Sequence, residues 1–377
     1  MELETTRLIS VSNFKSDLKP SISFGKDVKK LTNLFQLILT SIFYVLIFIF
    51  FVIFLYIKSK KFINQYLENR KVIKDLNYYE RLQNYFCDYI HNIYDDEIEE
   101  NIELFNISFI NTTYAIFIYK SEDYLSKEIQ KDSFIGRNEA LNLLTALQKF
   151  GNDNNIQNPK EIIMIDNSGH IGWFPIFLGI YKYKILAFEP LPTNYYVFKK
   201  NYCRNNRDFF GDQSSIIIIN EGLYREEKYC DFYKSIKNKE KDVILCDSSK
   251  SNKLSQDFKR IKSVEMGKLS NFIKYINMKN IALIRINLDY EGEEVIKSNK
   301  QLFNEMNIPY VFIEFSKKSF EVRETQSKNF LEFFDIWGYR MSLNGFFDNS
   351  TVTIDNIIKS KDDHISLYLT YNKQKKN

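Results

Sequence analysis

A short turn after an apolar segment carries the residues best suited to bind a ligand. Apolar residues 162–165 end in Asp166, and three small residues follow it: Ser168, Gly169 and Gly172. Residues with little or no side chain let a ligand lie against backbone N–H groups at the start of a helix. The carboxylate of Asp166 is placed to hold the turn or to bind a cationic amino group.

A second carboxylate ends the next apolar run. Glu189 follows residues 185–188, about 23 positions after Asp166, a spacing typical of a nucleotide-binding unit. A carboxylate at the end of the second strand of such a unit accepts hydrogen bonds from both ribose hydroxyls of an adenosine. The turn and this acid together predict a site for a nucleotide-like cofactor.

Strands and helices must alternate to bring these groups together. Segments 193–201 and 293–306 have helical composition and apolar spacing, and the apolar runs between and around them are apolar on both faces, as buried parallel strands are. This alternation predicts an α/β fold with a doubly wound, mostly parallel sheet. The five predicted strands are residues 161–166, 184–189, 215–220, 281–289 and 309–315.

The N-terminal part contains a candidate membrane anchor. Residues 34–57 carry no charge and, at about 1.5 Å per residue, reach roughly 36 Å, enough to cross a hydrocarbon core of about 30 Å. Lys58, Lys60 and Lys61 follow directly, as after an uncleaved signal anchor. We therefore predict a tail at 1–33, a single transmembrane helix at 34–57, a helical stalk at 58–105 and a domain at 106–377.

The flanking charges do not decide the orientation of this anchor, because lysine and arginine are balanced on its two sides. Three Asn-X-Ser/Thr sequons begin at Asn106, Asn111 and Asn349, all beyond the anchor. They favour a lumenal C-terminal domain. The expected location is a membrane, in the endoplasmic reticulum or Golgi.

Composition excludes several partners. The net charge is only +4 and the basic residues are dispersed among acidic ones, so we expect no nucleic-acid partner. Three histidines and no CxxC pair predict no metal site. The four cysteines are interpreted as buried free thiols: Cys87, Cys203, Cys230 and Cys246.

Three ordered segments resemble the FkbM methyltransferase family. Residues 165–174 read IDNSGHIGWF, residues 187–195 read AFEPLPTNY, and residues 283–294 read LIRINLDYEGEE. They look like the family's acid and glycine turn, its phenylalanine-glutamate-proline segment and its aspartate, any residue, glutamate, glycine, any residue, glutamate signature. Residues 116–119 with 132–150 also look like the strand and helix that lead into its cofactor turn, so the resemblance covers about 106–345.

The resemblance implies a Rossmann-like methyltransferase fold and an S-adenosylmethionine-dependent O-methyltransferase. Its acceptor would be a hydroxyl of a sugar, a glycan or another small molecule. The chain departs from the family at Ser168, usually glycine, and at His170, usually asparagine. It also lacks the paired aspartates that commonly precede the fourth strand, where residues 268–273 read KLSNFI.

The third segment supplies the candidate catalytic residues. In an open parallel sheet the ligand lies outside the carboxyl ends of strands where the strand order reverses, which brings the turn after Asp166 towards Asp289 and Glu291. We interpret these two acids as groups that orient the acceptor or take its proton. A structural role stays open for both acids, with Asp289 capping its own turn. His170 is a further candidate base.

Two other functions stay open at this point. The departures from the family pattern are also compatible with a catalytically inactive methyltransferase fold that serves as a scaffold or binding protein. An anchor, a stalk and an α/β domain are equally the plan of a type II membrane glycosyltransferase. The chain lacks the Asp-X-Asp triplet such enzymes use for a metal-bound sugar nucleotide, which makes this the weaker alternative.

Overall fold

The computed structural model divides the chain into two compact units, Met1–Ile73 and Lys74–Asn377. The predicted anchor at 34–57 falls almost entirely outside the described residues. Among those that are described, none of the helices has the length and hydropathy that a membrane crossing requires. The structure describes residues 37–39, 49, 79, 83, 87, 96–110, 112–120, 124–132, 136–206, 209, 215–235, 243–247, 257–273, 276–287, 292–300, 303, 306–316, 327–360 and 364–372.

Strands and helices alternate along the second unit. The strands are β1 (Ile102–Phe109), β2 (Thr112–Tyr119), β3 (Ile163–Asp166), β4 (Lys184–Phe188), β5 (Ile216–Ile219), β6 (Gly222–Leu223), β7 (Lys228–Ser235), β8 (Val243–Leu245), β9 (Phe258–Gly267), β10 (Ile281–Asn287), β11 (Tyr310–Ser316), β12 (Tyr339–Ser342) and β13 (His364–Tyr371). The helices are α1 (Asp96–Glu100), α2 (Tyr124–Asp132), α3 (Arg137–Asp153), α4 (Trp173–Ile180), α5 (Pro192–Asn205), α6 (Leu269–Ile273), α7 (Gly292–Ser298), α8 (Ser327–Ile336) and α9 (Ile354–Lys359). Short 3₁₀ turns lie at Pro159–Glu161 and Met278–Asn280.

The central element is a seven-stranded sheet in the order β12-β13-β11-β10-β3-β4-β5. β13 runs antiparallel to both of its neighbours, and the pairs from β11 to β5 are all parallel. The five strands predicted from the sequence correspond to β3, β4, β5, β10 and β11. The prediction of a mostly parallel α/β sheet is therefore confirmed.

Two apolar cores cover the two faces of this sheet. Alternate residues of β4 show the division, because Ile185 belongs to one core and Leu186 to the other. The first core includes side chains of α3, α4 and α5, and the second includes side chains of α6, α7 and α8. Strands covered on both faces must be apolar throughout, as the sequence of β5 is. The sheet is therefore doubly wound.

Two smaller sheets accompany the central one. β1 and β2 form an antiparallel hairpin, and β6, β9, β7 and β8 form a four-stranded sheet inserted between β5 and β10. Asparagine side chains on α5 fasten the hairpin: Asn201 Nδ2 donates to Phe117 O at 3.0 Å, and Asn205 Nδ2 donates to Ala115 O at 2.7 Å. β2 is thus bonded to α5 through side chains.

The C-terminal end of the predicted helical stalk is corrected. Its last residues, 102–105, belong to β1, which pairs with β2. Among the described residues before them, Tyr79 and Gln83 are buried. Gln83 bonds the edge strand β5 at both ends of its amide, donating to Ile216 O and accepting from Ile218 N, each at 3.1 Å. An edge strand has open backbone groups, and Gln83 satisfies two of them.

The interpretation of the cysteines as free thiols is wrong. Cys87 is bonded to Cys203 and Cys230 to Cys246, and no cysteine remains free. The first pair is separated by 116 residues but its Cα atoms lie 5.2 Å apart. The second pair lies just outside the β7–β8 ladder. Both proximities are products of the fold, and spacing along the chain does not reveal them.

Candidate functional site

The candidate site lies where the central sheet changes direction. From β3 the order continues through β4 to β5 on one side, while β10 and β11 lie on the other. In open α/β sheets, ligands bind outside the carboxyl ends of the strands at this switch point. Asp166 ends β3, Glu189 follows β4, and Asn287 ends β10. The structure therefore brings the predicted turn and both predicted cofactor carboxylates to one edge.

The turn after β3 is tied to the end of β10. The backbone N–H of Asn167 donates to Arg285 O at 3.1 Å. The side-chain oxygen of Asn167 accepts from the backbone N–H of Asn287 at 2.7 Å. The side chain continues the ladder between β3 and β10 past the last paired residue, which fixes where the turn begins.

The backbone N–H groups of the turn are bonded inside the protein. Ser168 N donates to Asp166 Oδ1 at 3.1 Å, and Gly169 N donates to Phe188 O at 2.8 Å. Gly172 N donates to Gly169 O at 2.8 Å, and it adopts a left-handed conformation with φ +89° before α4. These three donors hold the shape of the turn in the state observed.

Phe198 explains why both glycines are required. A Cβ atom on Gly169 would lie 2.7 Å from the Phe198 ring, and one on Gly172 would overlap the same ring. Phe198 belongs to α5 and is completely buried. Close packing of α5 on the turn accounts for the two glycines without a ligand. Ligand contact by Gly169, Gly172 and Ser168 stays a prediction.

Glu189 joins the end of β4 to the turn. Its Oε2 accepts from the backbone N–H of His170 at 2.7 Å, and its Oε1 accepts from Leu191 N at 2.9 Å. Asn194 Nδ2 lies 3.5 Å from Oε1, and the Tyr119 hydroxyl donates to Asn194 Oδ1 at 2.9 Å. A polar chain therefore runs from the hairpin to the carboxylate.

Burial changes the acidity of Glu189. The side chain is 0% exposed, and burial raises its pKa from 4.5 to about 7, although His170 and the bonded N–H groups oppose the rise. Within the described part of the chain, its hydrogen-bond donors are neutral. A carboxylate held in this way titrates near neutral pH and responds to any added donor or charge.

Arg285 is the residue of the site that the sequence reasoning missed. It stands in β10, and its Nη1 donates to Asp166 Oδ1 at 2.7 Å and to Ser168 O at 2.6 Å. Its Nη2 donates to Glu314 Oε2 on β11 at 2.5 Å. The guanidinium carbon lies 4.8 Å from the centre of the Phe174 ring. The available signal was a single arginine inside an otherwise apolar strand.

This ion pair changes the expected role of Asp166. Burial raises the pKa of Asp166, and the charge of Arg285 beside it opposes that rise. The positive charge next to this carboxylate thus comes from the protein itself. Among the described residues, however, Asp166 Oδ2 and Arg285 Nε are buried without a hydrogen-bond partner. These two atoms retain capacity for a further partner.

The other candidate residues are placed only in part. His170 lies in the turn with φ +47°, and its backbone N–H bonds Glu189. Asp289 and Glu291 lie outside the described residues, after β10 ends at Asn287 and before α7 begins at Gly292. Their catalytic roles stay predictions. Within the described part of the chain, no group of three or more His, Cys, Asp or Glu is arranged to hold a metal ion.

Comparison with known proteins gives distant structural likeness only. No protein-family model and no curated protein matches the chain, so the FkbM resemblance is not confirmed. The bifunctional kinase-methyltransferase WbdD is 11% identical with a TM-score of 0.36, and the match covers 66% of this chain and 42% of that chain. This chain therefore matches less than half the length of WbdD.

Two further solved structures have a similar degree of likeness. Magnesium protoporphyrin IX methyltransferase (ChlM) from Synechocystis PCC 6803, with bound SAM, is 7% identical, with a TM-score of 0.32 and coverage of 67% of this chain and 86% of that one. TYW2 from M. jannaschii, in complex with AdoMet, is 10% identical, with a TM-score of 0.29 and coverage of 71% and 84%. Likeness at this level establishes no activity. The parallel-rich α/β architecture itself fits a Rossmann-like methyltransferase fold.

Proposed function

We propose that the unit Lys74–Asn377 binds S-adenosylmethionine and is an O-methyltransferase. The observation that carries this proposal is the direct bond between the two predicted cofactor elements: Glu189 Oε2 lies 2.7 Å from the backbone nitrogen of His170 in the turn. The bond lies at the switch point of a parallel-rich sheet, where nucleotide ligands bind in such folds. The motif resemblance supplies the identity of the cofactor.

The residues of the site fit such a cofactor. A carboxylate has about four acceptor positions, so Glu189 retains capacity for ribose hydroxyls beside its bonds to His170 and Leu191. Asp166 Oδ2 retains capacity for a donor at the end of β3. Gly169 and Gly172 keep the turn narrow. When bound, S-adenosylmethionine would supply an activated methyl group.

The acceptor is proposed to be a hydroxyl of a sugar, a glycan or another small molecule. The protein must hold this hydroxyl in line with the methyl group and remove its proton. We assign acceptor orientation or proton removal to Asp289 and Glu291, with His170 as a second candidate base. These assignments follow the motif after β10, and the departures at Ser168 and His170 affect the cofactor turn.

A catalytically inactive binding protein is the second candidate function. The observations that favour it are the turn N–H groups already bonded within the protein and the guanidinium of Arg285 against Asp166. In this alternative, Arg285 permanently takes the place that a cationic ligand group would occupy. The domain then serves as an anchored scaffold without methyl transfer.

The membrane anchor at 34–57 and a lumenal domain belong to the same proposal. Support for the lumenal side comes from the two disulfides, because such bonds form and persist in oxidising compartments and are rare in the cytosol. The disulfides therefore favour one orientation of the anchor, which the balanced flanking charges leave undecided. Detection of all four cysteines as free thiols in the protein from cells would contradict this location.

Purified full-length protein tests these alternatives. Calorimetric titration with S-adenosylmethionine should show binding, and titration with a sugar nucleotide should show none. Transfer of a labelled methyl group to glycan acceptors should follow, and Asp289→Asn should reduce turnover with little change in cofactor affinity. Cofactor binding without transfer to any acceptor favours the inactive alternative. Binding of the sugar nucleotide alone would contradict both.

A further inference from the structure

The sequon at Asn349 lies in an exposed part of the fold. Asn349, Ser350 and Thr351 are all exposed, in the irregular segment between β12 and α9. Of the other two sequons, Asn106 is exposed but lies within the ladder of β1, opposite Ala115. Asn111 is outside the described residues. Asn349 therefore has the most accessible sequon among those that the structure describes.

The segment around Asn349 is held in place on both sides. Asp348 accepts hydrogen bonds from Ser350 N at 3.1 Å and from Asn344 Nδ2 at 2.8 Å. On the other side, Thr353 caps α9 by accepting from the backbone N–H of Asn356 at 3.3 Å. The ordered neighbours keep Asn349 at the surface, so a large attached group would displace no core residue.

The disulfides supply an independent reason to expect modification. Disulfides form and persist in oxidising compartments, and the secretory pathway is the compartment in which sequon asparagines receive their glycans. The sequon and the disulfides come from different residues of the same unit. They agree on one location.

We propose that Asn349 carries an N-linked glycan. The side-chain nitrogen of Asn349 forms a bond to C1 of a lipid-linked oligosaccharide, the bond from C1 to the lipid diphosphate breaks, and the amide nitrogen loses one proton. The inference rests on the lumenal location proposed above and is independent of methyl transfer. Its consequence is a bulky, polar group beyond the carboxyl end of the edge strand β12.

The test is expression of the full-length chain in a eukaryotic cell, with glycopeptide mass spectrometry before and after enzymatic glycan removal. We expect the peptide containing Asn349 to carry a glycan that Asn349→Gln and Thr351→Ala abolish. Ser350→Ala is the matched control, because the middle position of the sequon accepts any residue except proline. Thr351→Ser is a second control, because it keeps the hydroxyl that the third position of the sequon requires. Both controls should remain modified.

The cysteine state is measured in the same samples. An unmodified Asn349 in protein whose two disulfides are formed would overturn the glycan while leaving the lumenal location intact. An unmodified Asn349 in protein with four free thiols would overturn both. Loss of one glycan in Asn349→Gln, with the disulfides and S-adenosylmethionine binding unchanged, is the result we predict.

Discussion

The ends of β3 and β4 carry one buried acid each, yet the two are stabilised differently. Asp166 is paired with the full charge of Arg285, which also bonds Ser168 and Glu314. Among the described residues, Glu189 accepts hydrogen bonds from neutral donors only, the backbone of His170 and Leu191 and the side chain of Asn194, while the charge of His170 lowers its pKa without an ion pair. Both acids are 0% exposed. Acidic residues at the ends of adjacent strands thus have two different roles.

The difference concerns how charge is compensated. A buried ion pair is costly to break, since removing one partner leaves an uncompensated charge in a low dielectric. The end of β3 is therefore a fixed structural element. A carboxylate bonded by neutral groups changes its protonation readily when a ligand arrives. The end of β4 is therefore the part of the site that responds to pH and to cofactor.

The largest expected effect follows from removing the charge beside Asp166. Arg285→Met should lower the free energy of unfolding by about 3–5 kcal/mol, because it leaves the buried carboxylate of Asp166 without its compensating charge. Urea unfolding monitored by circular dichroism measures the change. The double variant Asp166→Asn with Arg285→Met should recover part of the loss. A single variant as stable as the wild type would show that the pair is not a structural element.

The next effect is the pH dependence contributed by Glu189. Its pKa is about 7 in the fold and near 4.5 when unfolded, so the folded state retains the proton between these values. Its contribution to stability is full below pH 4.5, falls as pH rises to 7 and levels off above. The total decrease in the free energy of unfolding over this pH range is on the order of 3 kcal/mol. Glu189→Gln should flatten this part of the stability profile in unfolding experiments from pH 5 to 8; an unchanged profile would contradict the assignment.

A smaller effect tests why the turn contains glycine. Gly172→Ala should destabilise the protein by about 1–3 kcal/mol for two reasons. The new methyl group would overlap the Phe198 ring, and the backbone φ at residue 172 is positive, which strains an alanine. Phe198→Leu leaves room beside the turn, so the double variant should lose less stability than the sum of the two single variants. Thermal unfolding measures all three. Strictly additive losses would show that the ring does not impose the glycine.

The smallest effect concerns the polar chain to Glu189. Asn194→Ala should cost about 1 kcal/mol, because it removes a long bond to Glu189 and the bond accepted from the Tyr119 hydroxyl. Asn194→Asp is the contrasting variant, as it places a second acid beside Glu189 and should raise its pKa further. A stability loss as large as that of Arg285→Met would remove the distinction between the two strand ends.

The sequence predicted the sheet well because its signal is local. Runs such as that of β5 are apolar throughout, and this pattern depends only on burial of both faces. The sequence also placed Asp166, Gly169 and Glu189 at one edge, since parallel strands end together. The four-stranded insertion and the antiparallel β13 were not predicted, because they contain pairings between residues distant in sequence. The β1–β2 hairpin is local in sequence, and it was missed because residues 58–105 were interpreted as a helical stalk.

The contact partners of the site residues could not be predicted from the sequence either. Arg285 is 119 residues from Asp166, and nothing in the spacing indicates that the two meet. Phe198 was part of a predicted helix, but its ring had no assigned neighbour. The disulfide between Cys87 and Cys203 depends on a segment that was interpreted as a helical stalk. Each of these contacts joins residues distant in sequence, and the type of each residue is common in its own segment, so the sequence alone does not indicate the contact.

Calorimetric titration of the full-length protein with S-adenosylmethionine at pH 6 and pH 8 tests the central claim most directly. Ribose hydroxyls bond more strongly to an ionised Glu189, so with a pKa of about 7 the affinity should rise about tenfold between the two values. Glu189→Gln should bind more weakly and equally at both. Wild-type affinity that is independent of pH and unaffected by Glu189→Gln, or the absence of binding at either pH, would contradict a cofactor site at the end of β4.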